Sequence, residues 1–407
     1  MPVVRRLAGI VAVLCLWFVP AASASALDLP TLQRVLQRES AKLGPAAAGY
    51  VVDLTSDREL WADEPDRSLV PASNEKLYTT AAALLRFGPA TTVTTTVQTR
   101  ASTEVDADGV VHGDVYLVGA GDPSLGDSGL SALASGLDTA GITKITGTVL
   151  GDESIFDALR GSADSKYGPD SDLGGWLGGL TWAHGHATPG GPATVAAARL
   201  QKLLKARGIR AGRRAAAGRL AQVPATDGTL LASVRSPTFA RLAATTNQAS
   251  DNFYAEMLLK ALGARFGASG STIAGLTVAK AALTELGVSP QMADGSGLSR
   301  TDRTTPRQVV TLLRQVQDST IAKAFEASLS VPGKVGTLRK RMRGTAAAGR
   351  CPAKTGTLRG VSALSGYCRT AAGDLIAFSL IENQVYAAGA KPIEDRMVAA
   401  IARYAAP

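Results

Sequence analysis

Strand-forming segments stand near both ends of this 407-residue chain, and a long run of helical patterning separates them. Residues 48–54 and 59–61 are β-rich runs around the turn Thr55-Ser56-Asp57-Arg58. Strands return around Lys354 and at 373–381, after helices predicted at 238–246, 250–262, 272–286 and 305–316. Leu32, Val35, Leu36 and Leu43 behind Pro30-Thr31 predict a first helix. Leu77, Ala81, Leu84 and Leu85 give 73–87 an apolar helical face that Gly88-Pro89 ends, and a helix at 393–404 closes the chain. Strands that distant must pair to satisfy their backbones, which predicts one α/β (α+β) domain assembled from two separated segments.

The pattern between those segments is different. Thr- and Val-rich alternation at 91–99 and 110–118, around the turn Asp106-Ala107-Asp108-Gly109, predicts strands. Gly/Ser/Asp-rich loops follow through Gly121-Asp122-Pro123 and 161–179, and helical spacing returns at 193–207. We therefore expect residues 27–90 and 224–407 to form one domain and 91–223 an inserted, β-rich one. There is no internal repeat and no low-complexity tail.

Arg5 and Arg6 precede an apolar run from Leu7 to Val19, and small residues follow from Ala22 to Ala26. This is the layout of a secretory signal, expected over 1–26 with cleavage after Ala24 or Ala26. The run is shorter than the roughly 20 residues that span a bilayer, so an uncleaved anchor is the lesser alternative and the one expected route to a membrane. Export would leave Cys351 and Cys368 as an even pair in an oxidising compartment. They flank an expected hairpin, 353–358 and 361–367 about Arg359-Gly360, whose centre lies midway between them; a disulfide is expected, with two buried free thiols as the alternative. The formal charge of +9 does not point to nucleic acid, because the basic runs at 210–214 and 334–343 are short and interrupted. Attraction to an anionic envelope, or solubility alone, accounts for it.

Three short motifs carry the chemistry: Ser73-Asn74-Glu75-Lys76, Ser250-Asp251-Asn252 and Lys354-Thr355-Gly356. A serine hydroxyl needs an adjacent base, and a lysine three residues on projects from the same helical face. Lys76 can act as that base only if burial or a neighbouring cation, such as Lys354, lowers its pKa. Ser250 could relay a proton between Lys76 and a leaving amine, and the Asn252 amide could bind a substrate carbonyl. Lys354, Thr355 and Thr357 fall on an extended segment on which neighbouring side chains face opposite ways, and Gly356 permits close backbone approach. Taken singly, Ser73 could be a helix cap, Lys76 a solvated lysine, Ser250 and Asn252 a capping Ser and a turn Asn, and the Lys354 strand a protected sheet edge. His112, His184 and His186 are too few and scattered for a zinc peptidase; His184-Gly185-His186 is taken as a loop feature, and no metal or cofactor is expected. No G-x-S-x-G is present for a Ser-His-Asp hydrolase.

In this order the motifs match the Ser-x-x-Lys, Ser-Asp-Asn and Lys-Thr-Gly set of class A β-lactamases and penicillin-binding proteins. Over nearly the whole mature chain the sequence resembles the class C low-molecular-mass penicillin-binding proteins, D-alanyl-D-alanine carboxypeptidases/endopeptidases of serine peptidase family S13. The resemblance extends to VPAS at 70–73, GAGDPSL at 119–125, GDESIFD at 151–157, NQASDNFYAEMLLKAL at 247–262, DGSGLSR at 294–300, GTLRKRM at 336–342 and AKTGTLRGVSALSGY at 353–367. It implies a penicillin-recognising serine transpeptidase/β-lactamase-like domain, an antiparallel sheet flanked by helices and interrupted by an insert. It implies Ser73 as the acylated nucleophile, Lys76 as its base, Ser250 and Asn252 in proton relay and substrate contact, and Lys354, Thr355 and Thr357 on the terminal carboxylate. The backbone N–H groups of Ser73 and Thr357 would form the oxyanion hole. The implied protein is an extracytoplasmic serine D-Ala-D-Ala carboxypeptidase acting on peptidoglycan stem peptides and inhibited by β-lactams. At 174–191, where family members carry an aromatic-rich stretch, this chain has GGWLGGLTWAHGHATPGG. The alternatives are a serine β-lactamase, disfavoured because no E-x-x-L-N lies between Asn252 and Lys354, and a non-catalytic wall-binding protein, disfavoured by the intact motifs.

Overall fold

The computed structural model describes residues 26–188, 190–220 and 228–406. The expected signal, apart from Ala26, and the expected 223/224 boundary lie outside them. Among the described residues no helix is long and apolar enough to cross a membrane.

Both ends of the chain meet in one five-stranded antiparallel sheet, in the order Ala353–Leu358, Val361–Arg369, Leu375–Asn383, Ala47–Asp53, Arg58–Asp63. Side chains alternate across a strand, so each inner strand feeds two cores. From Leu375–Asn383, Ile376, Phe378 and Leu380 pack with Leu32 and Leu36 of the helix Leu29–Ser40 and with Met397 and Ile401 of Ala387–Ile401. Ala377 and Ile381 face the other way, onto Tyr78, Leu258, Leu312 and Phe325 from the helices of the chain's middle. Burial on both faces is why these strands are nearly continuous apolar runs. The helix Leu29–Ser40 starts where Asp28 accepts the Thr31 N–H and Pro30 presets the first turn.

The hairpin 353–369 turns at Arg359-Gly360, with Gly360 in the left-handed region (φ 77°). Cys351 and Cys368 are joined as a disulfide, their Cα atoms 4.1 Å apart, just outside the first strand pair.

Between Thr94 and Arg235 the chain builds two further sheets. One runs Leu230–Arg235, Thr94–Gln98, Val115–Val118, Val149–Asp152, Ala216–Ala217, antiparallel at first and then parallel. The other joins the two-residue strands Val110–Val111, Lys144–Ile145 and Arg210–Ala211 in parallel. Two helices, Asp127–Thr139 and Gly191–Ala206, cover them, with Leu130, Leu133, Leu137, Leu200 and Leu204 meeting Val97, Leu117 and Val149 in a separate core. The sequence shows the second helix and hides the first, because Asp127-Ser128-Gly129 and Gly136 are poor helix formers that tertiary packing overrides.

Candidate active site

Ser73 is placed by a kink. Ala72 adopts φ 49°, a strained value for a residue with a Cβ, and Ala72–Asn74 form a single 3₁₀ turn ahead of the α-helix Glu75–Phe87. Asn383 clasps the entry by accepting the Val70 N–H and donating to the Val70 carbonyl. Asn74 donates to Ser365 Oγ on the sheet below, 2.8 Å away. The turn is therefore bolted to strands from the far end of the chain.

One helical turn on, the Lys76 amine is fully buried. It donates to Ser73 Oγ (3.0 Å), Asn252 Oδ1 (2.6 Å) and the Ser296 carbonyl (2.5 Å). Burial pushes its pKa down to about 8, against the carboxyls of Asp294, Glu256, Asp251 and Glu75, which work to raise it. At pH 7 about a tenth of such lysines are neutral and able to accept the Ser73 proton.

Ser250 also adopts a left-handed backbone, φ 58°, and Asp251 caps the helix Asn252–Phe266 by accepting the Tyr254 N–H. Ser250 Oγ accepts from Lys354 Nζ at 2.8 Å rather than from Lys76. The Asn252 amide is engaged at both ends, its oxygen by Lys76 and its N–H by the Asp172 carbonyl, 2.8 Å away.

The strand Ala353–Leu358 is a sheet edge, and its alternation explains each motif residue. Ala353 spends its outward backbone groups on Ser330, so by alternation Thr355 and Thr357 also turn theirs outward. Lys354 and Gly356 share the face toward Ser73. A Cβ on Gly356 would lie 2.8 Å from the Pro71 carbonyl, which is why glycine stands there. Burial and the charge of Lys76 push Lys354 well below the ordinary lysine range. Thr355 points the other way and bonds Thr337 Oγ1 at 2.8 Å, while Thr357, on the same side of the strand, is exposed.

Two sets of residues at the site go beyond the motifs. Behind Lys76 lies a group of buried carboxyls. Glu256 accepts the Gly295 and Ser296 N–H groups, and Asp294 accepts those of Ser296, Gly297 and Ser299. Together they shape the loop whose carbonyl holds Lys76. Burial, reinforced by Asp294, pushes Glu256 up to about 8 and Asp302 up to about 9, and burial raises Glu75 well above its usual range. The signal for Glu256 is in the sequence: with Lys260 it interrupts the apolar run Phe253–Leu262 at i, i+4, and both are buried. Lys260 pairs with Asp157, tying this helix to the loops of the inserted region.

The second set centres on His184. Ala183, His184 and Gly185 all have left-handed backbones (φ 48°, 60° and 66°), presenting the imidazole to the Ser250-Asp251-Asn252 motif. Its Nε2 lies 2.9 Å from Asp251 Oδ2 and its Nδ1 3.1 Å from the Gly174 carbonyl, and its ring packs on Phe253. Both partners are acceptors, so only the doubly protonated ring satisfies both. Asp251 raises the His184 pKa accordingly.

The geometry thus brings Ser73, Lys76, Ser250, Asn252, Lys354 and Gly356 together, with Thr355 and Thr357 on the outer side of the strand. The family model described as "D-Ala-D-Ala carboxypeptidase 3 (S13) family" matches residues 30–172 and 188–404. A D-alanyl-D-alanine carboxypeptidase of an Actinomadura species is 31% identical over 446 aligned positions, covering 89% of this chain and 82% of that protein. Crystal structures of penicillin binding protein 4 (dacB) from Haemophilus influenzae share the fold. The first has a TM-score of 0.72 at 20% identity, over 86% of this chain and 93% of that one. The second, a complex with a β-lactam, has a TM-score of 0.71 at 21% identity, over 89% and 97%.

Proposed function

The chain belongs to the D-Ala-D-Ala carboxypeptidase 3 (S13) family and is a serine-type peptidase acting on peptidoglycan, and from that premise we propose that it removes the terminal D-Ala of stem peptides through a Ser73 acyl-enzyme. The observation that carries this proposal is the 3.0 Å contact between Ser73 Oγ and a fully buried Lys76 amine.

The steps follow from the charges. Neutral Lys76 takes the Ser73 proton as Oγ attacks the D-Ala-D-Ala carbonyl, and the buried lysine becomes charged among Asn252 and the Ser296 carbonyl, which already accept its other hydrogens. The carbonyl oxygen gains negative charge and is received by the Ser73 and Thr357 N–H groups; removing one such donor costs about 3–4 kcal/mol in comparable sites. Ser250, bonded to Lys354, delivers a proton to the departing D-Ala amine and is replenished by the proton Lys76 took from Ser73, which leaves Lys76 neutral again. The substrate carboxylate is met by Lys354 and by the hydroxyl and backbone edge of Thr357, while Thr355, held by Thr337, keeps the strand edge in place. Water then attacks the acyl-serine as the neutral Lys76 takes its proton, and Lys76 passes that proton to Ser73 Oγ as the acyl bond breaks. A β-lactam presents a similar strained amide with a nearby carboxylate, and is expected to stop at the acyl stage.

The protein is expected to work extracytoplasmically after loss of residues 1–26. The test is intact-mass analysis and peptide mapping after penicillin treatment, beside D-Ala release from a diacyl-Lys-D-Ala-D-Ala peptide. A single penicilloyl group on the peptide carrying Ser73, absent in Ser73→Ala, is the expected result. Labelling that persists in Ser73→Ala rules out the assignment, and an adduct without D-Ala release rules out the peptidase step.

A further inference from the structure

The formal net positive charge of this chain arises in one stretch. Residues 327–373 contain nine Lys and Arg and no Asp or Glu, so they account for the whole formal charge of +9; elsewhere 34 basic residues balance 34 acidic ones. Three of the nine are committed inside the fold or to a partner: Lys354 in the cleft, Arg341 to Glu394 and Asp395, and Arg369 to Glu326. Arg359 is exposed at the hairpin turn; Lys334, Arg339, Lys340, Arg343 and Arg350 are also exposed, and none of these five takes part in an ion pair among the described residues.

These five form a compact lobe. The Gly349 N–H bonds the Pro332 carbonyl and the Gly333 N–H that of Leu338, folding the segment back on itself. Lys334 lies across Gly349, the Arg343 side chain lies beside Gly333, and its guanidinium bonds the Arg339 carbonyl. The lobe continues into an open groove of about 670 Å³ bounded by Lys323, Glu326, Val331, Arg350 and Arg369, in which Glu326 is paired with Arg369. It is also joined to the catalytic strand, through the Ser330–Ala353 bridge and the Thr337–Thr355 hydroxyl pair.

We propose that this lobe and groove dock a wall polyanion, a phosphodiester-linked glycopolymer attached to peptidoglycan, and so hold the enzyme beside its substrate. The inference goes beyond the peptidase function but rests on it for the occupant. Five solvent-facing cations without an enclosing niche suit a repeating anion better than a single small one. No aromatic residue lies between 326 and 366, so the stacking platform that single-stranded nucleic acid uses is missing. Val335 is the one large apolar residue the lobe exposes, too little for insertion into a lipid interface.

The test is co-sedimentation of the full mature protein with three targets: wall sacculi retaining their phosphodiester polymer, the same sacculi stripped by hydrofluoric acid, and anionic lipid vesicles. The wild type should bind intact sacculi at least tenfold better than stripped ones, and binding should fall about tenfold or more between 50 and 200 mM salt. The variant K334E/R339E/K340E/R343E should lose most of that binding while kcat/KM on a soluble D-Ala-D-Ala peptide stays within twofold. The neutral set K334Q/R339Q/K340Q/R343Q, less demanding on folding, should show an intermediate loss. Equal binding to stripped sacculi, stronger binding to vesicles, or unchanged binding by either variant overturns the proposal. Wall binding that survives in a protein inactive on the soluble peptide would retain the dock and refute the peptidase chemistry.

Discussion

The sheet shared by the two ends of the chain and the region inserted between them solve the same packing problem differently. The first uses strands of six to nine residues, its inner ones buried on both faces, and on its edge and neighbouring helices it fixes buried lysines and carboxyls. The second uses strands of two to six residues, partly in parallel, and its core cluster is almost wholly aliphatic. Ionised chemistry at neutral pH needs desolvation and fixed partners, which the larger, doubly covered sheet can supply. The inserted region contributes reach: the loops about Phe156, Leu173 and Leu177 press onto Phe253 and Met257, and His184 touches the Asp251 carboxylate. One region holds the proposed reacting groups, and the other frames them.

The largest effect that would sharpen this contrast is at Lys76. Lys76→Met keeps the side-chain bulk and removes the base, and should slow penicillin acylation by roughly 10³-fold or more with little change in fold by circular dichroism. A variant acylated at the wild-type rate would place the base elsewhere. In the inserted core, Leu200→Ala should cost about 3 kcal/mol of local stability. Stopped-flow acylation by a small penicillin should nevertheless stay within about twofold of wild type. A proportional loss of acylation would show that the two regions are one cooperative unit. Replacing both Cys351 and Cys368 by serine opens a loop of 17 residues, and chemical denaturation should register a loss of about 3 kcal/mol in the sheet region. An unchanged midpoint would remove the disulfide from the account.

The smallest effect concerns His184. Its pKa is raised by Asp251, so the imidazolium and its two contacts are present below about pH 6.5 and are lost as pH climbs through the raised value. Wild-type KM for a stem peptide should therefore rise a few-fold toward alkaline pH while kcat follows Lys76, with Tyr254 and Lys76 the other titratable groups near Asp251. His184→Gln should flatten the KM change and leave the kcat profile in place. A variant with the wild-type KM profile would reduce His184 to packing.

These contrasts also mark where the sequence is legible. The hairpin 353–369 is readable because β-branched alternation, a Gly turn and two cysteines agree on one register. The proposed catalytic set is readable because its spacing is local within each motif, even though Lys76 and Asn252 are 176 residues apart. The strand Leu230–Arg235 is missed because it is short and ends against Ser236-Pro237, and its partner lies more than a hundred residues back. The carboxyls behind Lys76 are hidden for a related reason: Glu75, Glu256, Asp294 and Asp302 are ordinary polar residues until the fold buries them together. His184 gives no periodic signal at all, since its placement depends on three consecutive left-handed residues.

The central claim is that a desolvated Lys76 deprotonates Ser73, and the pH dependence of wild-type penicillin acylation tests it most directly. The rate should climb with pH along a single limb centred near 8, where Lys76 loses its proton, and then level off. A rate independent of pH, or a limb that disappears in His184→Gln, would contradict it.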